Sequence, residues 1–143
     1  MADGTDPPFK VGDVCQIDDV PGIDDPEDIK PRPMLVLLVR QIQVYGVIVS
    51  GSVSQDKIDD LIAIPVPNDS THPNSQHGLW KPSWAVCDWL VCAPACRVSK
   101  RGMRPISTSL VSRIRDRVQE LRPKMMGIAC DDQRNLGCSH CRR

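Results

Sequence analysis

The apolar positions of this chain fall into short runs with two different spacings. Phe9-Lys10-Val11-Gly12-Asp13-Val14-Cys15-Gln16-Ile17 alternates apolar and polar side chains around a Gly-Asp turn, which is the period of a half-buried strand. Met34-Leu35-Val36-Leu37-Leu38-Val39 is continuously apolar behind Pro33, and predicts a central strand covered on both faces. Val44 to Val49 and Leu61 to Val66 predict two more strands, separated by a polar stretch from Ser50 to Asp60. Trp84 to Val91 predicts another, with a short strand near Arg97-Val98. From Ser107 the period changes, because Leu110, Val111, Ile114, Val118 and Leu121 recur at helical spacing. Ser107 or Thr108 can cap the first turn of that helix, and Pro123 stops it.

Between these runs the chain is polar. Asp18 to Lys30 is rich in carboxylates and broken by Pro21, Gly22 and Pro26, which predicts a mobile acidic loop. The expected organisation is a disordered tail over residues 1–9, one domain over 10–122, and a Cys- and Arg-containing tail over 123–143. A chain of 143 residues can bury roughly two-thirds of its unfolded surface, so one real core is possible. With one Phe, one Tyr and three Trp, that core rests on Val, Ile and Leu, which favours strands. The fold class expected is mainly β with a C-terminal helix (α+β), the strands closing into a small barrel.

The formal net charge of zero conceals a division. Residues 1–96 hold 6 Lys and Arg against 14 Asp and Glu, and residues 97–143 hold 12 against 4, so −8 is followed by +8. Such a split serves either as internal compensation between solvated faces or as a basic surface for a polyanion. The opening residues are acidic and carry no basic and apolar leader, and no apolar run approaches the roughly 18 residues of a membrane span, so the expectation is a cytoplasmic protein without membrane contact. Seven cysteines is an odd number, which argues against a fully paired disulfide framework.

The order of these pieces resembles the PemK/MazF family of toxin-antitoxin toxins. Val11-Gly12-Asp13-Val14 is similar to the family's opening Gly-Asp strand. Lys30-Pro31-Arg32-Pro33-Met34-Leu35-Val36-Leu37 is similar to its Arg-Pro-apolar run, and Gly78-Leu79-Trp80-Lys81-Pro82-Ser83-Trp84-Ala85-Val86-Cys87-Asp88 to its Gly-Leu to Asp-Gln strand. With the Ser-led terminal helix, the pattern covers about residues 10 to 122. The resemblance implies an SH3-like barrel that cleaves single-stranded RNA without a metal or other cofactor, works as a homodimer, and is held in check by a cognate antitoxin. It implies that Arg32 contacts the scissile phosphate and that Asp88 takes part in proton transfer. Lys30, Asn68, Ser70, Thr71, Lys81 and Trp89 are the accompanying candidates for RNA contact.

That chemistry is coherent. Attack by a 2′-hydroxyl needs a base for its proton, an acid for the leaving oxygen and a cation for the developing phosphate charge. An arginine offers a permanent planar fork to two phosphate oxygens. The alternative position for Arg32 is beside the acidic loop at Asp24 to Asp28, and for Asp88 an ordinary strand end. The chain also departs from the family. Pro65-Val66-Pro67-Asn68 lacks the usual hydroxyl unless Ser70 or Thr71 replaces it, Asp88 is followed by Trp89, and Val86 stands where some members carry a second arginine. A second expectation is therefore a barrel that binds nucleic acid or a protein partner through its Arg-rich helix and tail without cleaving.

Three further groups carry candidate chemistry. Cys130, Cys138 and Cys141, with His140 or His72 as a fourth ligand, are candidates for a structural zinc, a free reduced tail is the simpler assignment, and redox chemistry is a third. Cys87, Cys92 and Cys96 read as small buried apolar residues, and His72 and His77 as loop histidines. Trp80, Trp84 and Trp89 can stack on unpaired bases, although Trp84 suits a core or an interface equally well.

Overall fold

The computed structural model describes residues 9–67, 79, 81–102 and 104–128. The described chain forms one seven-stranded sheet and two α-helices: β1 (Val14–Val20), β2 (Lys30–Arg40), β3 (Gln43–Ser50), α1 (Gln55–Asp59), β4 (Ala63–Val66), β5 (Ser83–Pro94), β6 (Val98–Lys100), α2 (Thr108–Leu121) and β7 (Met126–Gly127). A single 3-10 turn, Ala95–Arg97, joins β5 to β6. The strand order is β4-β5-β3-β2-β1-β6, antiparallel throughout, with β7 added in parallel to the later part of β5. The protein is thus mainly β with one long helix. β4 and β6 end the order without pairing to each other, so among the described residues the sheet is not closed.

The apolar run in β2 sits in the middle of this sheet, as its composition requires. Met34 and Val36 join one core cluster with Cys15, Ile17, Val44, Ile48, Trp89 and Val91. Leu35 and Leu37 join the other, with Val14, Val47, Val49, Ala85, Cys87, Val111 and Ile114. Alternation along one strand supplies both faces of the sheet. The loop before β1 turns at Gly12, whose φ of +97° is a conformation open to glycine, and its N–H is bound by the Val36 carbonyl at 2.8 Å. Phe9 is buried in the first cluster, so the core begins one residue inside the expected tail.

Helix α2 covers the second cluster with Val111 and Ile114. Ser107 caps it, its Oγ accepting from the Leu110 N–H at 3.4 Å, and Arg122 ends it in the left-handed region just before Pro123. α2 is amphipathic in the expected way. Two features were not expected. Ser54 caps the short helix α1 inside the polar stretch, and β7 ties residues 126–127 of the presumed tail to the sheet, with Ile128 N–H donating to the Cys92 carbonyl at 2.8 Å. No helix among the described residues is long and apolar enough to cross a membrane.

Candidate functional site

Two irregularities in the sheet lie beside each other and shape the site. Along β1 and β2, Ile17 pairs with Arg32 and Val20 with Lys30, so three steps on β1 match two on β2. The extra residue is absorbed at Asp19, which takes a φ of 58°. Along β3 and β5, Val47 pairs with Leu90 and Val49 with Ala85, so two steps match five. Asp88 and Trp89 fall inside that bulge. Bulges re-aim side chains, and here they bring Arg32 and Trp89 together.

Arg32 is 8% exposed, and its guanidinium lies 4.9 Å from the centroid of the Trp89 ring. Its Nε donates to the Val20 carbonyl at 3.0 Å, while Nη2 donates to the Asp28 carbonyl at 2.6 Å and lies 3.3 Å from the Asp28 carboxylate. The acidic loop therefore wraps the arginine tightly, and a Cβ at Gly22 would stand 2.7 Å from the Asp25 carbonyl and 3.5 Å from Nη2. No described residue binds Nη1. The result is a cation fixed on an aromatic face by one edge, with its remaining N–H donors uncommitted.

Arg32 lines a groove of about 380 Å³ together with Lys30, Lys81, Arg101, Ser50 and Ser52. No carboxylate is among its described lining residues. Four cations gathered in one wall is a marked concentration of charge in a chain of zero net charge. Arg101 is steadied by the Gln16 side chain, which accepts from Nη1 at 2.9 Å.

Ser50 and Ser52 also line a second, smaller chamber of about 100 Å³. Trp89, Lys57, Ser54 and Asp24 complete the polar part of the chamber. Lys57 Nζ stands 3.3 Å from the Asp88 carboxylate, an ion pair only 22% and 30% exposed. A lysine from α1 thus occupies the neighbourhood left uncharged by Val86. Trp89 Nε1 is buried and has no hydrogen-bond partner among the described residues.

Of the residues singled out in the sequence, Lys30, Arg32 and Lys81 share the groove, and Trp89 lies under Arg32 at the chamber. Its ring is in the core, with one face covered by the guanidinium, so it is not an exposed stacking platform. Asp88 adjoins the chamber through Lys57. Asn68, Ser70, Thr71, His72, His77, Trp80, Cys130, Cys138, His140 and Cys141 lie outside the described residues. Lys57, Ser50, Ser52 and Arg101 were not foreseen. For Lys57 a signal existed, since Ser54 three residues earlier is a helix cap signature that would have placed a short helix in the polar stretch.

The cysteines divide. Cys15 and Cys87 are fully buried, and burial pushes each thiol up to about 12. Cys92 is half-buried and donates to the Gln43 side chain at 3.2 Å, its thiol raised by burial. Cys96, expected inside, is exposed at the 3-10 turn, because the chain leaves the sheet after Pro94. The arginines of α2 are also not a free basic face. Arg115 donates to the Leu37 carbonyl at 2.6 Å, and Arg117 to the carbonyls of Leu61 at 3.1 Å and Asp60 at 2.8 Å. No protein-family model and no curated protein matches the chain.

Proposed function

We propose that this chain binds single-stranded RNA in the groove lined by Lys30, Arg32, Lys81 and Arg101 and cleaves it without a metal, as a divergent relative of the PemK/MazF toxins. The observation that carries the reading is that every charged residue described in the groove wall is cationic, with a buried arginine among them. A single strand offers one negative charge per nucleotide, and lysines and arginines along a groove are the general means of tracking it. The family pattern is supported by the placement of its segments. Gly12-Asp13 immediately precedes β1, Lys30 to Leu37 lies in β2, Ser83 to Asp88 opens β5, and a Ser-capped helix follows the sheet strands β1 to β6. In this reading the curled sheet is an SH3-like barrel, the chain acts as a cytoplasmic homodimer, and a cognate antitoxin covers the groove.

The chemistry we assign combines Arg32 in the groove wall with the Lys57–Asp88 pair beside the chamber. The 2′-oxygen attacks the adjacent phosphorus, its proton passes to Asp88, and the P–O5′ bond breaks as Lys57 delivers a proton to the departing oxygen. Arg32 holds the charge that grows on the phosphate, through the N–H groups that the loop leaves uncommitted. Lys57 supplies the cation that Val86 cannot. This route needs no cofactor.

A second reading, binding without cleavage, is favoured by one observation: Asp88 is already neutralised by Lys57. Incubating the protein with a long single-stranded RNA in excess EDTA, beside Asp88→Asn, separates the two. Discrete cuts that vanish in the variant support cleavage, whereas intact RNA that is nevertheless retained by the protein supports the binding module.

A further inference from the structure

Helix α1 carries Lys57 to Asp88, yet its five residues are too few to hold a helix by themselves. Two backbone bonds close its last turn: Leu61 N–H donates to the Ile58 carbonyl at 3.1 Å, and Ile62 N–H to the Lys57 carbonyl at 2.9 Å. That closure puts Leu61 in the left-handed region, at a φ of 57°, just past the helix end where glycine is the usual residue. The leucine is 58% exposed, so burial of its side chain does little to offset the strain. The Ile62 carbonyl in turn accepts from the Cys87 N–H at 2.7 Å. Lys57 and the residue before Asp88 are thus joined through the backbone of one residue, Ile62, which follows the strained turn directly.

Arg117 of α2 supplies what that turn lacks. Its Nη2 donates to the Asp60 carbonyl at 2.8 Å and its Nε to the Leu61 carbonyl at 3.1 Å, at the end of α1 where carbonyls run out of partners within the helix. Its Nη1 donates to the Glu120 carboxylate at 3.1 Å, so the guanidinium is anchored on its own helix. We infer that Arg117 is the positioning residue of the Lys57–Asp88 pair, holding the strained end of α1 so that Lys57 Nζ stays 3.3 Å from the Asp88 carboxylate. The inference rests on the reading of Lys57 and Asp88 as proton-transfer groups, and it gives α2 a part in that chemistry although Arg117 lines neither the groove nor the chamber.

The test reads the pair first and the reaction second. The carbon-13 signal of the Asp88 carboxyl is identified by its absence in Asp88→Asn. It moves in Lys57→Met, moves in the same direction in Arg117→Ala, and returns when Leu61→Gly is added to Arg117→Ala, because glycine adopts the left-handed turn unaided. Arg115→Ala, on the same helix but bound to the Leu37 carbonyl, leaves the signal in place. A signal that Arg117→Ala does not move, or that Leu61→Gly does not restore, overturns the inference. On single-stranded RNA in excess EDTA, Arg117→Ala lowers kcat at least about tenfold with KM unchanged, since the groove cations are untouched. A raised KM at constant kcat overturns it as well. If the Asp88 signal follows Arg117 while the RNA of the parent protein stays intact, the positioning stands and the cleavage reading falls.

Discussion

The groove and the α2 face both carry arginines tied to backbone carbonyls, but they differ in the company those arginines keep. On α2, Arg115 and Arg117 reach back to carbonyls of Leu37, Asp60 and Leu61, and so fasten the helix to the strand and loop ends beside it. In the groove, Arg32 is fastened by one edge only, and three further cations gather around it without a carboxylate in the described wall. Charge counted along the chain places the surplus after residue 96, but the cationic wall draws three of its four members from the acidic part. What separates the two regions is not whether carbonyls hold an arginine, since those of Val20 and Asp28 hold Arg32, but whether further cations share its wall.

Breaking the groove side has the largest expected effect on stability. Arg32→Ala strands the Val20 and Asp28 carbonyls and removes the stack on Trp89, for a loss of about 3 kcal/mol in urea unfolding. Arg32→Lys does not restore it, because an ammonium cannot donate to both carbonyls from that plane.

The two sides behave alike in one respect, since each core cluster holds one buried thiol, Cys15 in the first and Cys87 in the second. Both folded thiols are raised from 9.0 to about 12, so the unfolded chain loses these protons first as the pH climbs. Their contribution is complete below pH 9 and declines from there toward 12, a fall of up to about 1.4 kcal/mol per pH unit for each thiol. Unfolding midpoints measured at pH 8 and pH 10 show a drop that the double variant Cys15→Ala, Cys87→Ala reduces.

On the helix side the effects are smaller. Arg115→Ala lowers stability by about 1 kcal/mol through the lost bond to Leu37, with RNA affinity unchanged. Arg113, exposed on α2, changes stability by less than about 0.5 kcal/mol when replaced by Ala, and it is the matched control for any groove lysine.

Much of the fold was legible in these residues. The unbroken run in β2 required a central strand, and the spacing of Val111 and Ile114 gave the buried stripe of α2. Less of the site could be read. Arg32 and Asp88 stand out in the sequence only through the resemblance to the family pattern, and their surroundings depend on bulges that no alternation pattern announces. Lys57 reaches Asp88 across 31 positions of sequence, from a helix too short to show a period. The stretch from Asp18 to Lys30 reads as mobile by composition, whereas its Val20 and Asp28 carbonyls and the Asp28 carboxylate find a partner in Arg32.

The most direct test of the groove is the salt dependence of RNA affinity, followed by fluorescence anisotropy of a labelled single strand. Affinity falls steeply with salt, and the double variant Lys30→Glu, Lys81→Glu weakens binding more than tenfold at low salt and flattens the slope by about one to two. The control Arg113→Glu leaves both unchanged. A slope that is unaltered by the two lysines, or that flattens only in the helix variant, would contradict the assignment and move the RNA contact to α2.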